Sequence, residues 1–453
     1  MRHPFATFLI AASVMLTVSS SALADDLFEV TASTDDALPN QFTVEASGNS
    51  LLDLTQDVIE SRNEFKNFKN RGVSGSLNFG GVEDAIQVSV NQSSTEATLR
   101  LDLIDFEKTF TGANRDELED EIEDFLTKDG ANIYGRFLRE IREQTLIAVL
   151  DGNPESSTAL VSHQMFKEYA FAQRNPQWLQ GGTGSSAGLG PTGRRWANNS
   201  DQAAEAAAQA EAGGSGSSNP DTRWFNLSGG ASKVSADQFD GYRGNVDFTS
   251  GQWFNEHIGL GFSAQAAYRE LEGASIYHGS GQLALPIRFL NAEPLGKGGE
   301  VTLDWQVTPF GHGTIAGSVD IGDGGVMGGG GAANRLTFDF AAVQVTVGNQ
   351  INFFEGIPLE YGDEFEYDTD VSQQLLSNGI LATVPLGEVF FVNGGVVHNQ
   401  YLGDAAVETW FSPSASVGVV TDGNDVFVVS YEGKLGKEDF SSHGVNLSAT
   451  FRF

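Results

Sequence analysis

From residue 221 to residue 453, apolar and polar residues alternate with a period of two in one segment after another. Successive side chains of an extended strand point to opposite faces, so each segment predicts a strand with one apolar face. Turn signals such as "GKGG" and "DGND" separate several segments, which predicts an all-β domain. The apolar faces of two of these strands comprise Ile258, Leu260, Phe262, Ala264, Ala266 and Tyr268 in the first, and Val301, Leu303, Trp305 and Val307 in the second.

A soluble sandwich and a membrane barrel share this alternation, so the period alone does not distinguish them. The predicted strands are long, and their polar faces are rich in Gly, Ser, Thr, Asn and Gln, as a water-filled lumen requires. Aromatic residues near strand ends are typical of girdles at the membrane interface. We therefore expect an antiparallel barrel of about twelve strands, within a range of about ten to fourteen. The expected girdle residues are Trp224, Tyr242, Trp253, Phe289, Phe310, Phe391, Trp410, Phe411 and Phe453.

The first 24 residues predict a signal peptide. Arg2 supplies a positive charge, "FATFLIAASVMLTV" supplies an apolar core, and Ala22-Leu23-Ala24 is a small-residue cleavage site. We expect cleavage after Ala24 and export through the secretion translocon. An N-terminal membrane anchor is the alternative, but the apolar run is shorter than the roughly 20 residues that a spanning helix needs.

The composition excludes several classes of function. The chain has no cysteine, so it forms no disulfide, thiolate metal site or cysteine nucleophile. Its formal net charge is -34, which argues against nucleic acid as a partner because phosphate contacts need a basic surface. An acidic surface or pore would instead favour cations.

Residues 25–180 predict a small α+β domain. "DAIQVSVN" and "ATLRLDL" read as a hairpin, and Asn114 with Glu117 forms a capping box that opens a helix in "RDELEDEIEDFLTK". A second helix is predicted over "ANIYGRFLREIREQTLIAVL", ending at the turn that begins with Asp151. The acidic run from Asp116 to Asp124 is interpreted as a solvated helix face and not as a metal site.

A linker rich in Gly, Ser and Ala is predicted over residues 181–220. Its segment "SDQAAEAAAQAEA" favours a helix over 197–212, either a spacer between two domains or an element long enough to enter the barrel. Asn198 and Asn199 stand at the start of this helix and are a possible site of linker processing, with a polar linker start as the alternative.

The barrel region resembles a known family. Trp224 with Gly229-Gly230, "HIGLGFSAQAAY", and an ending with Tyr431, Gly433, Gly436, His443 and Phe453 resemble the translocator barrel of classical autotransporters. That resemblance implies a Gram-negative outer membrane, a helix that threads the barrel, and an N-terminal passenger at the cell surface. Residues 25–180 lack the repeats of a long β-helix, so this domain is expected either at the surface or in the periplasm.

The tail "VNLSATFRF" is also similar to the outer-membrane assembly signal. This likeness implies recognition by the barrel assembly machinery and an apolar face toward lipid. The residues of the proposed signal are Val445, Leu447, Ala449, Phe451 and Phe453.

The sequence contains only weak signals for catalytic groups. Ser442 and His443 are adjacent on a strand and would diverge, whereas Ser441 and His443 could share a face, although a strand-end turn is the preferred interpretation. "GDGGVMGGGGAANR" lacks the lysine of a phosphate loop and predicts a flexible barrel loop. The acidic stretch "EYGDEFEYDTD" predicts a hydrated extracellular loop with at most weak affinity for Ca²⁺. No catalytic residue, metal site or cofactor is assigned.

Three hypotheses remain open. The first is an autotransporter-like outer-membrane barrel that anchors or exports a small N-terminal domain. The second is a porin-like, cation-preferring channel with a periplasmic N-terminal domain. The third is an outer-membrane hydrolase, for which no constellation of residues is found.

Overall fold

The computed structural model describes most of the N-terminal domain and nearly all of the predicted barrel. The described residues are 27–35, 41–50, 54, 71–93, 95–128, 130–145, 147–171, 223–236, 239–255, 257–295, 301–340, 342–361, 365–367, 369, 371–387, 389–421, 425–437 and 440–452.

The N-terminal region contains a six-stranded antiparallel sheet with the strand order β2-β1-β3-β4-β5-β6. The predicted hairpin is confirmed, since β4 and β5 pair with Val88 opposite Leu99. The strands are β1 (Phe28–Thr34), β2 (Thr43–Gly48), β3 (Val73–Phe79), β4 (Val82–Val90), β5 (Glu96–Leu101) and β6 (Phe106–Thr111).

Among the described residues, three helices follow this sheet: α1 (Arg115–Lys128), α2 (Gly130–Gln144) and α3 (Ser157–Met165), which continues as a π-helix over Phe166–Ala170. The predicted capping box of α1 is confirmed: the Glu117 amide donates to Asn114 Oδ1 at 3.1 Å, and the Ala113 amide donates to Glu117 Oε2 at 3.1 Å.

The second helix is shorter than predicted. It ends at Gln144, whereas the sequence pattern extended it to Leu150. Ile147, Val149 and Leu150 leave the helix because they are buried completely in a core that the sheet, α2 and the barrel rim share. Tertiary burial of these three side chains replaces the helical continuation that the local pattern favoured.

The remaining strands build a closed antiparallel barrel of twelve wall strands, which confirms the predicted fold class. β10 and β11 both pair with β12 and form a single wall strand that is interrupted at Pro286, whose ring nitrogen has no hydrogen to donate. β21 pairs with β7 along its whole length and closes the wall. The short strands β15 and β16 form a separate hairpin.

These strands have the following bounds: β7 (Arg223–Ala236), β8 (Phe239–Trp253), β9 (Gly259–Leu271), β10 (Ala274–Ala284), β11 (Ile287–Leu295), β12 (Val301–Ser318), β13 (Asp323–Asp339), β14 (Gln344–Ile357), β15 (Leu359–Tyr361), β16 (Phe365–Tyr367), β17 (Ser372–Leu386), β18 (Phe390–Tyr401), β19 (Thr409–Val420), β20 (Val426–Gly436) and β21 (Ser441–Arg452).

The two faces of the wall differ as the alternation predicted. Along β12, Thr302, Thr308 and Thr314 are buried and point inward, whereas Trp305 and Ile315 are 37% and 59% exposed on the outer surface. The barrel therefore has an apolar outer surface and a largely polar inner surface, the arrangement of barrels that stand in lipid.

The glycine-rich segment after Gly322 is not a flexible loop, so this prediction was wrong. It forms β13, a barrel strand of 17 residues. On the inner face, His312 and Phe354 from the two neighbouring strands lie close together, with ring centroids 4.5 Å apart. A Cβ atom at Gly329 would come within 2.8 Å of the His312 ring, so the glycines make room for large side chains of their neighbours.

The predicted aromatic girdle is only partly correct. Tyr242 and Phe411 lie on the outer surface, 44% and 53% exposed, but Phe310, Phe391 and Trp410 are buried inside the barrel. The inward position of Phe310 follows from strand continuity, because β12 runs unbroken from Val301 and every even-numbered residue faces the lumen.

The barrel has two distinct ends. At one, here called the terminal end, lie the first residue of β7 and the last residue of β21; the other is called the cap end. The N-terminal sheet, α1 and α2 are together named the cap (the described residues between 27 and 145), and its sheet and α2 pack on the cap end. Their shared core joins Phe28 and Phe137 of the cap to Leu271, Ile276 and Met327 of the barrel. No helix in the described part of the chain is long and apolar enough to cross a membrane.

Candidate functional site in the barrel lumen

Residues 147–171, here called the plug, run through the barrel. Near one end of this segment the Ala148 carbonyl accepts a hydrogen bond from Arg269 Nη2 at 3.0 Å. Near the other end Tyr169 lies against Gly261. Arg269 and Gly261 stand close to opposite ends of β9, so the plug enters at the cap end and reaches toward the terminal end.

The upper half of the plug is held by hydrogen bonds to the wall. The buried Tyr401 hydroxyl lies 2.9 Å from Ser156 Oγ and 2.8 Å from Thr158 Oγ1, and it donates to the Asn153 carbonyl at 3.2 Å. His278 Nδ1 lies 3.0 Å from Ser157 Oγ. Because buried polar groups without partners are costly, these bonds favour one position of the plug over others.

A buried carboxylate sits between two wall cations in the same half. Glu155, in the loop that precedes α3, is 2.9 Å from Lys434 Nζ and forms a second ion pair with Arg243. Burial raises the pKa of Glu155, but Arg243 and Lys434 outweigh burial and hold this pKa at about 2. Glu155 is therefore ionised at neutral pH and neutralises cations of the wall.

A second charged contact of opposite sign lies deeper in the lumen. Glu432 of β20 pairs with both His163 and Lys167 of the plug. Between these two ionic contacts, Gln350 Nε2 donates to the Ser162 carbonyl at 2.8 Å and Asn352 Nδ2 donates to Ser162 Oγ at 2.7 Å. The wall thus offers cations near the cap end and a carboxylate further in.

The lower half of the plug, from Met165 to Phe171, is mainly apolar apart from Lys167 and Glu168. Its buried side chains pack against apolar groups of the wall and approach glycines closely. A Cβ atom at Gly348 would lie 3.0 Å from Ala170 Cβ, and one at Gly379 would lie 2.6 Å from the Phe171 ring. Here the wall lacks side chains where the plug needs space. This cluster consists of Met165, Phe166, Tyr169, Ala170, Phe171, Ala284, Phe310, Ala333, Leu381 and Val397.

The cap, the plug and the barrel meet at one buried arginine. Arg142 of α2 forms ion pairs with Asp151 of the plug at 2.9 Å and with Asp323 of β13 at 3.4 Å, and it donates to the Thr369 carbonyl. Its side chain is 2% exposed. Burial is the main cause of a raised pKa of Asp151, with Arg142 opposing it and Asp323 adding to it. Arg142 thereby couples the three parts electrostatically.

The residues of the predicted assembly signal lie on β21, as far as they are described. Val445 is 40% exposed on the outer surface, and Ala449 is covered. Phe451 stacks on Phe225 of β7 with ring centroids 4.8 Å apart, across the pair of strands that closes the barrel. Leu447 is half-buried on the same strand. Phe453, Asn198, Asn199 and Ala24 lie outside the described residues, as does the predicted helix over 197–212.

The candidate catalytic groups do not assemble into a site. Ser442 is buried inside the wall, whereas His443 lies on the outer surface with Nδ1 2.6 Å from the Tyr431 hydroxyl, so the predicted divergence is confirmed. The acidic stretch near Tyr361 forms the hairpin of β15 and β16. Among the described residues, no group of three histidine or acidic side chains could hold a metal ion.

The sequence did not predict the plug. Eight of the nine residues of α3 are buried, so this helix has no apolar stripe with a polar opposite face, and the periodicity that reveals a surface helix is missing. Its mixture of Ser, Thr, Gln and His with apolar residues gives no helical pattern. That mixture fits a helix whose surroundings are polar on some sides and apolar on others.

Comparison with known proteins concerns the barrel. No family model matches the sequence. No curated protein matches it either.

Among solved structures, the barrel is similar to the translocator domain of autotransporter NalP from Neisseria meningitidis, with 12% identity over 56% of this chain and 97% of that chain and a TM-score of 0.34. It is similar to the β domain of the Bordetella autotransporter BrkA, with 10% identity, coverage of 52% and 100%, and a TM-score of 0.36. It is also similar to an outer membrane channel from Pseudomonas putida F1, with 10% identity, coverage of 52% and 96%, and a TM-score of 0.37.

Two of these structures are autotransporter translocator domains, and at these identities the similarity concerns the barrel fold alone. Translocators and a channel are both among these structures, so the similarity of the barrel does not by itself choose between the two functions.

Proposed function

We propose that this protein is an autotransporter-like outer-membrane barrel that anchors a small N-terminal domain at the outer surface of the cell. The observation that carries this proposal is the path of the chain through the lumen. The chain leaves the cap, passes the cap-end contact of Ala148 with Arg269, and reaches Gly261 near the terminal end, where β7 also begins. This is the path that remains when a domain has passed outward through its own barrel.

The sidedness of the barrel supports the outer position of the cap. Outer-membrane barrels have short turns on the periplasmic side and longer loops outside. Both ends have short connections, such as that from Leu386 to Phe390 at the terminal end and that from Leu271 to Ala274 at the cap end. The longest connection, from Ile357 to Ser372, lies at the cap end and contains β15 and β16. The terminal end therefore suits the periplasm, and the cap end suits the outside.

Three partners follow from this proposal. The exposed apolar side chains of the wall, such as Phe289 and Ile315, suit the lipid of the outer membrane. The tail from Val445 to Phe453 would be read by the barrel assembly machinery, and residues 1–24 would direct the chain to the secretion translocon. No nucleic acid is expected, given the net charge of -34.

Single cysteines can test the sidedness because the natural chain has none. Ser93→Cys lies on the exposed turn between β4 and β5 of the cap, and Val389→Cys is its matched control at the terminal end. On intact cells, a maleimide that cannot cross the outer membrane should label Ser93→Cys and spare Val389→Cys. Labelling of Val389→Cys alone would show the cap in the periplasm and refute surface anchoring.

A transport function is the second candidate, because the inner wall is polar along most of its length. In this case the plug would have to leave the lumen before a cation could pass. Planar-bilayer conductance of the full protein should remain low under non-denaturing conditions if the plug is permanent. Frequent openings with cation selectivity in the native protein would favour the channel.

A further inference from the structure

We propose that Arg243 and Lys434 form a carboxylate-binding stop on the lumen wall, which halts the outward-moving chain when Glu155 reaches it. The inference rests on the proposed function for the direction of movement. It adds a site, a ligand chemistry and a register that the barrel fold alone does not contain.

The stop is a buried, preformed cluster. The side chain of Glu155 is 1% exposed, that of Lys434 is 3% exposed and that of Arg243 is 11% exposed. Lys434 also donates to the carbonyl of Pro154, next to the carboxylate. Both cations project from wall strands, so they are present in the barrel before the plug arrives.

The ligand class follows from the geometry. Two cations that converge on one group from separate strands, β8 and β20, suit a carboxylate with two oxygen atoms. Lys434 contacts one oxygen of Glu155 at 2.9 Å and Arg243 contacts the other. A passing amide or hydroxyl side chain carries no negative charge to offset the two cations, so the site favours an acidic residue.

Movement by one helical turn shows why the register is specific. An outward shift of four residues, about 6 Å along a helix, would bring Ala159 to the position of Glu155. Arg243 and Lys434 would then lose their carboxylate inside the wall, which is costly. The deeper contact opposes this shift less, because Lys167 would take the place of His163 beside Glu432 while Phe171 would take the place of Lys167. The shift also breaks the hydrogen bonds of Tyr401 and Asn352 to the plug, but the loss at Glu155 leaves buried charges uncompensated and is the larger cost.

Inward slippage is opposed by different contacts. Asp151 would have to leave Arg142 to occupy the stop, and the cap would have to follow it into the lumen. The cap is too wide for this, since its six-stranded sheet rests on the barrel rim. The stop and the cap thus limit movement in opposite directions.

Cysteine pairs in the full-length protein can measure the register. Ser162→Cys with Asn352→Cys reports the seated plug, since Ser162 Oγ and Asn352 Nδ2 are 2.7 Å apart. Phe166→Cys with Asn352→Cys reports the plug after an outward shift of one turn. Each pair is placed in the native background, in Glu155→Gln and in the uncharged control Tyr401→Phe, and it is bridged with a short thiol-reactive crosslinker.

We expect the seated pair to dominate in the native protein and in Tyr401→Phe. In Glu155→Gln the ratio of shifted to seated product should rise about tenfold or more, because a buried pair has lost one partner. The double variant Glu155→Lys with Lys434→Glu, which keeps an ion pair with exchanged signs, should recover more of the seated product than Glu155→Lys alone.

An unchanged ratio in Glu155→Gln, or an equal rise in Tyr401→Phe, would overturn the stop. Glu155→Gln preserves the shape of the side chain, so the test does not depend on the charge-reversed variants folding. Surface labelling of Ser93→Cys is a separate readout. If it fails while the register shifts as expected, the direction of export is wrong and the carboxylate site stands.

Discussion

The two halves of the plug are held in the same lumen by different physical means. From Asp151 to Thr158, contacts with the wall are ion pairs and hydrogen bonds, with Tyr401 and Lys434 as the main partners. From Met165 to Phe171, contacts are mainly apolar and depend on wall glycines, apart from the ion pair of Lys167 with Glu432. Directional contacts specify position and respond to pH, whereas packing responds to volume. The upper half therefore sets the register and the lower half fills the space.

The largest expected effect comes from removing the cation at the junction above the plug. Arg142→Met should destabilise the packing of cap and plug by about 3–5 kcal/mol, because Asp151 and Asp323 remain buried without their partner. Limited proteolysis of the cap in increasing urea would measure this loss. The matched control is Arg139→Met on the same helix, whose surface ion pairs should contribute no more than about 1 kcal/mol. Equal sensitivity of the two variants would contradict the role of Arg142.

Acidification should weaken the upper half while leaving the lower half intact. The folded pKa of Glu155, about 2, is below its ordinary value of 4.5, so its contribution is complete above about pH 4.5 and is lost as the pH falls toward 2. Conductance recorded from pH 6 to pH 2.5 should show increasing plug openings in the native protein. Glu155→Gln should open more often at neutral pH and respond less to pH in this window; the same pH response in both proteins would exclude Glu155 as its source.

A large side chain in place of a wall glycine should disrupt the packing of the lower half of the plug, and this effect should not depend on pH. Gly348→Leu places a large side chain against Ala170 and should cost about 1–3 kcal/mol. The matched control is Gly394→Leu, where an added Cβ would meet nothing within 4 Å. Protease access to the plug should rise for Gly348→Leu at all pH values. A comparable rise for Gly394→Leu would mean that glycine loss in any wall strand loosens the plug.

The smallest expected effect is the loss of one hydroxyl in the upper half. Tyr401→Phe removes the partner shared by Ser156 and Thr158 and should cost about 1 kcal/mol. The plug should keep its register, so conductance should show slightly more frequent openings without a change in the seated crosslink. If Tyr401→Phe opened as often as Glu155→Gln, the hydroxyl network and not the ion pairs would be the main source of stability in the upper half of the plug.

The sequence was sufficient for elements whose pattern is local. Alternation over β12 predicted which side chains face outward, because successive side chains of a strand point to opposite faces. The α1 capping box was predictable because Asn114 and Glu117 are neighbours along the chain. The prediction of the girdle was wrong at Phe310, because this residue was assigned by its aromatic character and not by its place in the alternation.

The plug could not be predicted from the sequence because the residues that surround it come from many strands that are distant along the chain. The residues next to Ser162 along the chain suggest that its side chain is exposed to solvent. In the structure Gln350 and Asn352 donate hydrogen bonds to it inside the lumen. The same applies to the glycine-rich β13, whose space is filled by His312 and Phe354. Neither feature has a period, so no pattern of the sequence could reveal it.

By itself, the sequence determined strands with one apolar and one polar face, because strand alternation is a property of the extended backbone. Only the tertiary structure decided which segment fills that wall. The charge of Glu155 has meaning only beside Arg243 and Lys434, and closing the barrel through β21 and β7 is what brings these residues around it. Long-range strand pairing, which no local pattern encodes, places Glu155 between two cations of the wall of its own barrel.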